Sequence, residues 1–172
     1  MMPLARPQEI LLPVTTGLIA VTVIVALLIN LVPLPVLISE IRPDFCALVL
    51  VYWGIHQPRR VGFTVAFLLG LSIDLVDGSL FGQHALVYVL QLFAAIALSR
   101  RVLNFSLMGQ SLHIAPLLVG GDLIATAARL LAGDELPVAA HFLGPIIGAL
   151  LWIPLSVLIR LPRLPKTGGD RV

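Results

Sequence analysis

VGFTVAFLLGLSIDLV, residues 61–76, decides the fold class. The stretch is uncharged and mostly apolar except for Asp74, which Asp77 and Gly78 follow closely. A carboxylate in or near a bilayer is expensive, so it normally faces protein or a wet cavity and has a task there. Gly62, Ala66, Gly70 and Asp74 recur at i, i+4 spacing. On a helix they form one smooth stripe that ends in an acid, and a second helix can lie closely along it.

The composition of the whole chain agrees. Its 172 residues are 59% hydrophobic and 12% charged, with a mean hydropathy of +1.05. A soluble domain carries about 25% charged residues, so this chain has too little polar surface to face water. It reads as an all-α, polytopic integral membrane bundle with a single domain over 1–160. The net charge of +2 does not point to nucleic acid, because the basic residues fall in short pairs between apolar spans, where they set orientation. Cys46, the only cysteine, excludes an intrachain disulfide and lies in an apolar run, where it serves as a small packing residue.

Six apolar runs are legible, at 13–32, 45–55, 61–76, 82–98, 112–131 and 138–159. Pro33 and Pro35 end the first. The second is short for a bilayer, since a span takes about 20 residues. It must thin the membrane, recruit its flanks or sit behind its neighbours. Pro145 and Pro154 are candidate kinks in the last run. Residues 10–39 carry no charge, too long a run for a signal-peptide core, so the first helix is expected to be a retained anchor. Residues 161–172 read as a disordered cytoplasmic tail.

With six crossings and a cytoplasmic N-terminus, the inner segments carry Arg6, Arg59, Arg60, Arg100, Arg101, Arg160, Arg163, Lys166 and Arg171. These are nine of the eleven basic residues, which satisfies the positive-inside rule. The outer loops then carry Glu40, Asp44, Asp77, Asp134 and Glu135, with Arg42 and Arg129 as exceptions. Both termini are expected in the cytoplasm. The Arg-Arg-Val repeats at 59 and 100 follow from the same charge rule.

Two groups of residues stand out. One is the stripe Gly62, Ala66, Gly70 and Asp74, joined by Gly144 and Gly148 of the last helix. These positions either pack the bundle internally or dock a single-pass partner helix. The other is an outward polar cluster of Asp74, Gln83, His84, Tyr88, Gln91 and Arg129. His84, Tyr88 and Gln91 share one helix face by spacing. Asp74 and Arg129 each lie near the outer end of a helix and are a candidate ion pair. The cluster is either a polar cavity or a hydrogen-bond network that fixes helix register; Asn30 and Asp122 lie deeper. Catalysis has little support. Asp74 and Asp122 lie at different depths, unlike a dyad sharing one proton. No G-x-S-x-G, H-E-x-x-H or phosphate loop occurs. The four histidines lack ligand spacing, so no metal or cofactor is expected.

The block from Arg42 to Leu86 resembles the MreD family of bacterial rod shape-determining membrane proteins. The resemblance rests on Arg42-Pro43-Asp44, Leu48-Val-Leu-Val-Tyr52-Trp53 and Pro58-Arg59-Arg60-Val61-Gly62. It continues through Ala66-Phe67-x-x-Gly70-Leu71-x-x-Asp74-x-x-x-Gly78 and Leu80-Phe81-Gly82-Gln83-His84-Ala85-Leu86. It implies a non-enzymatic subunit of the cell-elongation (Rod) complex in the bacterial inner membrane. The implied partners are MreC, MreB, RodA and a class B penicillin-binding transpeptidase, alongside membrane lipid. The family is also similar in helix layout to the six-helix substrate-binding S-components of energy-coupling transporters. A transporter subunit is therefore the alternative reading, with the polar cluster as its site.

Overall fold

The computed structural model describes residues 13–78 and 80–163, without the side chains of Val36 and Leu37. Residues 1–12, where the expected anchor begins, and most of the expected tail, from residue 164 on, lie outside them. The described residues form α1 (Thr16–Leu31), a single turn α2 (Val36–Ser39), α3 (Phe45–His56), α4 (Phe63–Asp77), α5 (Gln83–Val102), α6 (Leu107–Leu131) and α7 (Leu143–Arg160). Short 3-10 turns flank α7 at Ala139–Phe142 and Leu161–Arg163. No strand occurs among the described residues.

Local chemistry sets the boundaries. Thr15 Oγ1 accepts from the Leu18 amide at 3.2 Å and opens α1. Asp44 accepts from the Ala47 amide at 3.0 Å and opens α3. Ser106 accepts from the Gly109 amide and starts α6 at Leu107, earlier than the expected 112. The shift follows from that cap, because Ser106 satisfies a first-turn amide that apolar periodicity does not register. Helix α5 runs on to Val102 and includes Arg100 and Arg101 in its last turn, where cations suit the helix dipole. Pro145 falls in the first turn of α7, where a missing amide donor costs little, so Pro154 alone lies inside that helix.

The short helix α3 is the centre of the bundle. Every residue from Cys46 to Ile55 is buried, as expected of a helix that is apolar all round. It packs against α1, α5, α6 and α7, so the short run sits behind its neighbours. Side-chain bonds tie this core together. Trp53 Nε1 donates to Thr22 Oγ1 on α1 at 2.9 Å. Trp152 of α7 donates to Gln110 Oε1 of α6 at 3.2 Å, and its ring lies 5.6 Å from that of Tyr52. Ser111 Oγ donates to the Ala149 carbonyl. Lipid tails are as apolar as leucine, so such bonds and close packing hold the helices together rather than water-driven burial.

The surface inverts the soluble pattern. Asn30, Asp74, Gln83, Gln91 and Gln110 are buried, while Val21, Leu28, Phe67, Leu68, Leu150 and Leu158 are exposed. An apolar exterior around buried polar groups suits lipid and would be a liability in water. Gln83–Val102, Leu107–Leu131 and Ala139–Arg163 are long and apolar enough to cross a membrane. Helices α1, α3 and α4 have 16, 12 and 15 residues, short of the roughly 20 that a bilayer core takes.

Candidate functional site

The C-terminal ends of α1, α4 and α6 meet the N-terminal ends of α3, α5 and α7 around one polar cavity of about 280 Å³. Arg100, Arg101 and Arg160 therefore lie at helix ends directed away from it, and Arg59, Arg60 and Arg163 lie in the segments that follow such ends.

Asp44 is the hub of this end. Oδ1 accepts from Asn30 Nδ2 at 2.8 Å and from the Ala47 amide at 3.0 Å. Oδ2 accepts from the Tyr88 hydroxyl at 2.7 Å. Asn30 Oδ1 in turn accepts from the Phe45 amide at 3.1 Å, and Arg42 Nη1 donates to the Val32 carbonyl at 2.8 Å. One carboxylate thus ties α1, α3 and α5 together. Hydrogen bonds to an ionised group contribute about 1.5–3 kcal/mol each.

Asp74 belongs to a second lock. Gly78 closes α4 at φ 60° and Gly82 opens α5 at φ 94°, two left-handed positions that favour glycine. The turn brings the start of α5 back onto Asp74. Its Oδ2 accepts from the Gly82 amide at 2.9 Å and the Ala85 amide at 3.4 Å. Its Oδ1 accepts from the His84 amide at 2.9 Å and lies 2.8 Å from His84 Nδ1. Asp74 caps α5 from the neighbouring helix, an anion at a helix N-terminus. The candidate ion pair between Asp74 and Arg129 does not form among the described residues. The amides of Gly82, His84 and Ala85, eight to eleven residues along the chain, occupy its oxygens instead.

The α6 side of the cavity is less fully bonded. Asp122 Oδ1 lies 3.0 Å from His141 Nε2, while Asp122 Oδ2 has no hydrogen-bond partner among the described residues. Gln91 is 6% exposed; its Nε2 donates to the Leu117 carbonyl at 3.2 Å, and its Oε1 has no such partner. Arg129 lines the cavity, and its Nε is likewise unbonded.

The expected polar cluster is therefore divided. His84, Gln91 and Arg129 line the cavity. Tyr88 is fully buried and turned to Asp44. Gln83 is buried outside the cavity lining, and neither of its side-chain polar atoms has a partner among the described residues. The small-residue positions face inward. A Cβ added at Gly70 would collide with the Ala85 backbone; one at Gly144 would come within 3.0 Å of the Arg42 carbonyl. At Gly148 it would meet Leu118 at 3.3 Å. Ala66 is fully buried, and only Gly62 opens onto free space. Of the two uses open to the stripe, Gly70, Gly144 and Gly148 are engaged in internal packing, against α5, the 41–42 linker and α6.

Asp44 is the main residue that the sequence reading missed. An acid after proline and directly before an apolar run is a helix-cap signature, so a local cue existed. The Asp122–His141 contact has no such cue, since it joins two helices across a loop.

A family model described as rod shape-determining protein MreD matches residues 12–161. The rod shape-determining protein MreD of Haemophilus influenzae is 40% identical over 92 residues, which are 53% of this chain and 56% of that relative. The chain spans about half the length of this curated relative. No solved structure matches.

Proposed function

Because the chain belongs to the MreD family of rod shape-determining proteins, we infer that it is a non-enzymatic scaffold subunit of the bacterial cell-elongation complex. It crosses the inner membrane six times with both termini in the cytoplasm, in a layout similar to transporter S-components. It docks MreC within the bilayer and helps organise peptidoglycan synthesis with MreB, RodA and a class B penicillin-binding transpeptidase. The observation that carries this reading is the match to the family over residues 12–161. The apolar exterior supports lateral docking, since helix sides and short loops are what the bundle offers a partner.

Mild-detergent purification from cells tests the reading. MreC should co-purify stoichiometrically, and its absence together with normal rod shape in a deletion strain would refute it. Reporter fusions after Arg60 and Arg101 should read cytoplasmic, and fusions near Asp77 and Asp134 external. Opposite sides for Arg60 and Asp77 are required by the six-span topology.

A further inference from the structure

Arg59 and Arg60 precede α4, and Arg100 and Arg101 close α5. The 78–82 turn folds these two helices back on each other as antiparallel neighbours, so the two arginine pairs stand together at the end opposite the cavity. We propose that this end of the α4–α5 hairpin binds a phospholipid of net negative charge, with its phosphate at the arginines and its acyl chains along the exposed side of α5. The site rests on a membrane-spanning bundle, whichever protein that bundle docks.

Three observations carry this. First, the charge at this end has one sign. Every acid among the described residues lies in the half of the bundle that holds the cavity, and segments 57–62, 99–106 and 160–163 contain none. Orientation in the membrane asks for a basic excess and is nearly indifferent to acids. Exclusion of acids is what an anionic ligand asks for. Second, the guanidiniums are unengaged. Arg59, Arg60, Arg100 and Arg101 are exposed, and none forms an ion pair among the described residues. Arg60 spends one Nη1 donor on the Val14 carbonyl at 2.7 Å. A guanidinium has five donors in a fork that fits phosphate oxygens. Third, an apolar track leads away from the arginines. Leu86, Leu90, Phe93, Ala97 and Arg100 recur on one face of α5, and all are exposed. On α4, Phe63 and Phe67 are exposed as well, and Gly62 leaves open space beside Arg60. Phosphate chemistry followed by apolar chemistry is the order along a phospholipid. An acidic protein segment would use the arginines and leave the track bare.

Native mass spectrometry of the full chain in detergent tests the proposal. The probes are a phosphatidylglycerol, a phosphatidylcholine with the same acyl chains, and deacylated glycerophosphoglycerol. The glycerol lipid should bind at least about tenfold more tightly than the choline lipid, and the deacylated headgroup at least about tenfold more weakly than its lipid. Arg100→Gln with Arg101→Gln should weaken the glycerol lipid about thirtyfold, the product of roughly fivefold for each cation. The choline lipid should be unaffected, and the melting temperature should stay near wild type because both positions are exposed. Should the double variant fail to insert, Arg100→Gln alone should show the fivefold step. Lysine at both positions should keep most of the preference. Equal retention of the two lipids would identify annular lipid only, with arginines that serve orientation alone, and would overturn the proposal. Equal affinity for the deacylated headgroup would indicate a soluble phosphate ligand and also overturn it. A folded glutamine variant that keeps the preference would remove the lipid from this end. None of these results bears on co-purification with MreC, so the two readings fail separately.

Discussion

Replacing Asp74 by alanine should destabilise the bundle by about 3–5 kcal/mol. The Asp74 side chain is fully buried and accepts from three backbone amides, those of Gly82, His84 and Ala85. Alanine strands all three at the start of α5, and each unmade buried bond costs about 1–3 kcal/mol. Loss of the anion at the helix N-terminus adds about 0.3–2 kcal/mol. The cost of burying the carboxylate is recovered, and Gly82 is only half-buried, which keeps the net near the lower part of that sum. The range agrees with removal of one member of a desolvated pair. At about 2–4 °C per kcal/mol for a chain of this size, purified Asp74→Ala in detergent should melt roughly 6–20 °C below wild type. Asparagine distinguishes the cause. Each Asp74 oxygen serves its own set of donors, so an amide keeps one set and turns its NH2 toward the other. Asp74→Asn should therefore lose about half as much. An alanine variant melting within about 2 °C of wild type would refute the cap. Full retention in Asn alongside loss in Ala would mean that a single oxygen suffices.

Gly70→Ala should cost about 1–3 kcal/mol through overpacking against the Ala85 backbone. Gly62→Ala, which meets open space, should stay within about 0.5 kcal/mol of wild type; thermal melts of the pair separate packing from helix propensity. Tyr88→Phe removes the 2.7 Å bond to Asp44 and should cost about 1.5–3 kcal/mol. Combined with Asn30→Ala, which removes another donor to the same carboxylate, the losses should be non-additive in a double-mutant cycle. Trp53→Phe should loosen α1 from α3 by about 0.5–1.5 kcal/mol, because it removes the bond to Thr22; protease sensitivity of the 32–44 linker should rise with it.

The helical class, the six apolar runs and most of their boundaries were legible in the chain itself. Hydropathy and charge act locally along the sequence, and lipid admits only helices or closed barrels as spanning structures. The stripe Gly62–Ala66–Gly70–Asp74 was legible as a close-approach face for the same reason, since i, i+4 geometry is a property of one helix. What lay against that face was not. Helix packing is a matter of which surfaces meet, and the sequence is silent on whether Gly70 approaches α5 or another chain. Asp74 shows the same division. Its burial follows from its apolar neighbours, but its choice of the α5 amides over Arg129 depends on the 78–82 turn, where two glycines fold the chain back within hydrogen-bond reach. Asp44 and Asn30 are separated by a whole linker and become one lock only when α1 and α3 are side by side. The sequence by itself determined that Asp74 would be inside and in need of partners, whereas it put Asp44 in an outer loop. The tertiary structure decided the partners, because a hydrogen bond requires distances near 3 Å that only the packed arrangement of helices sets.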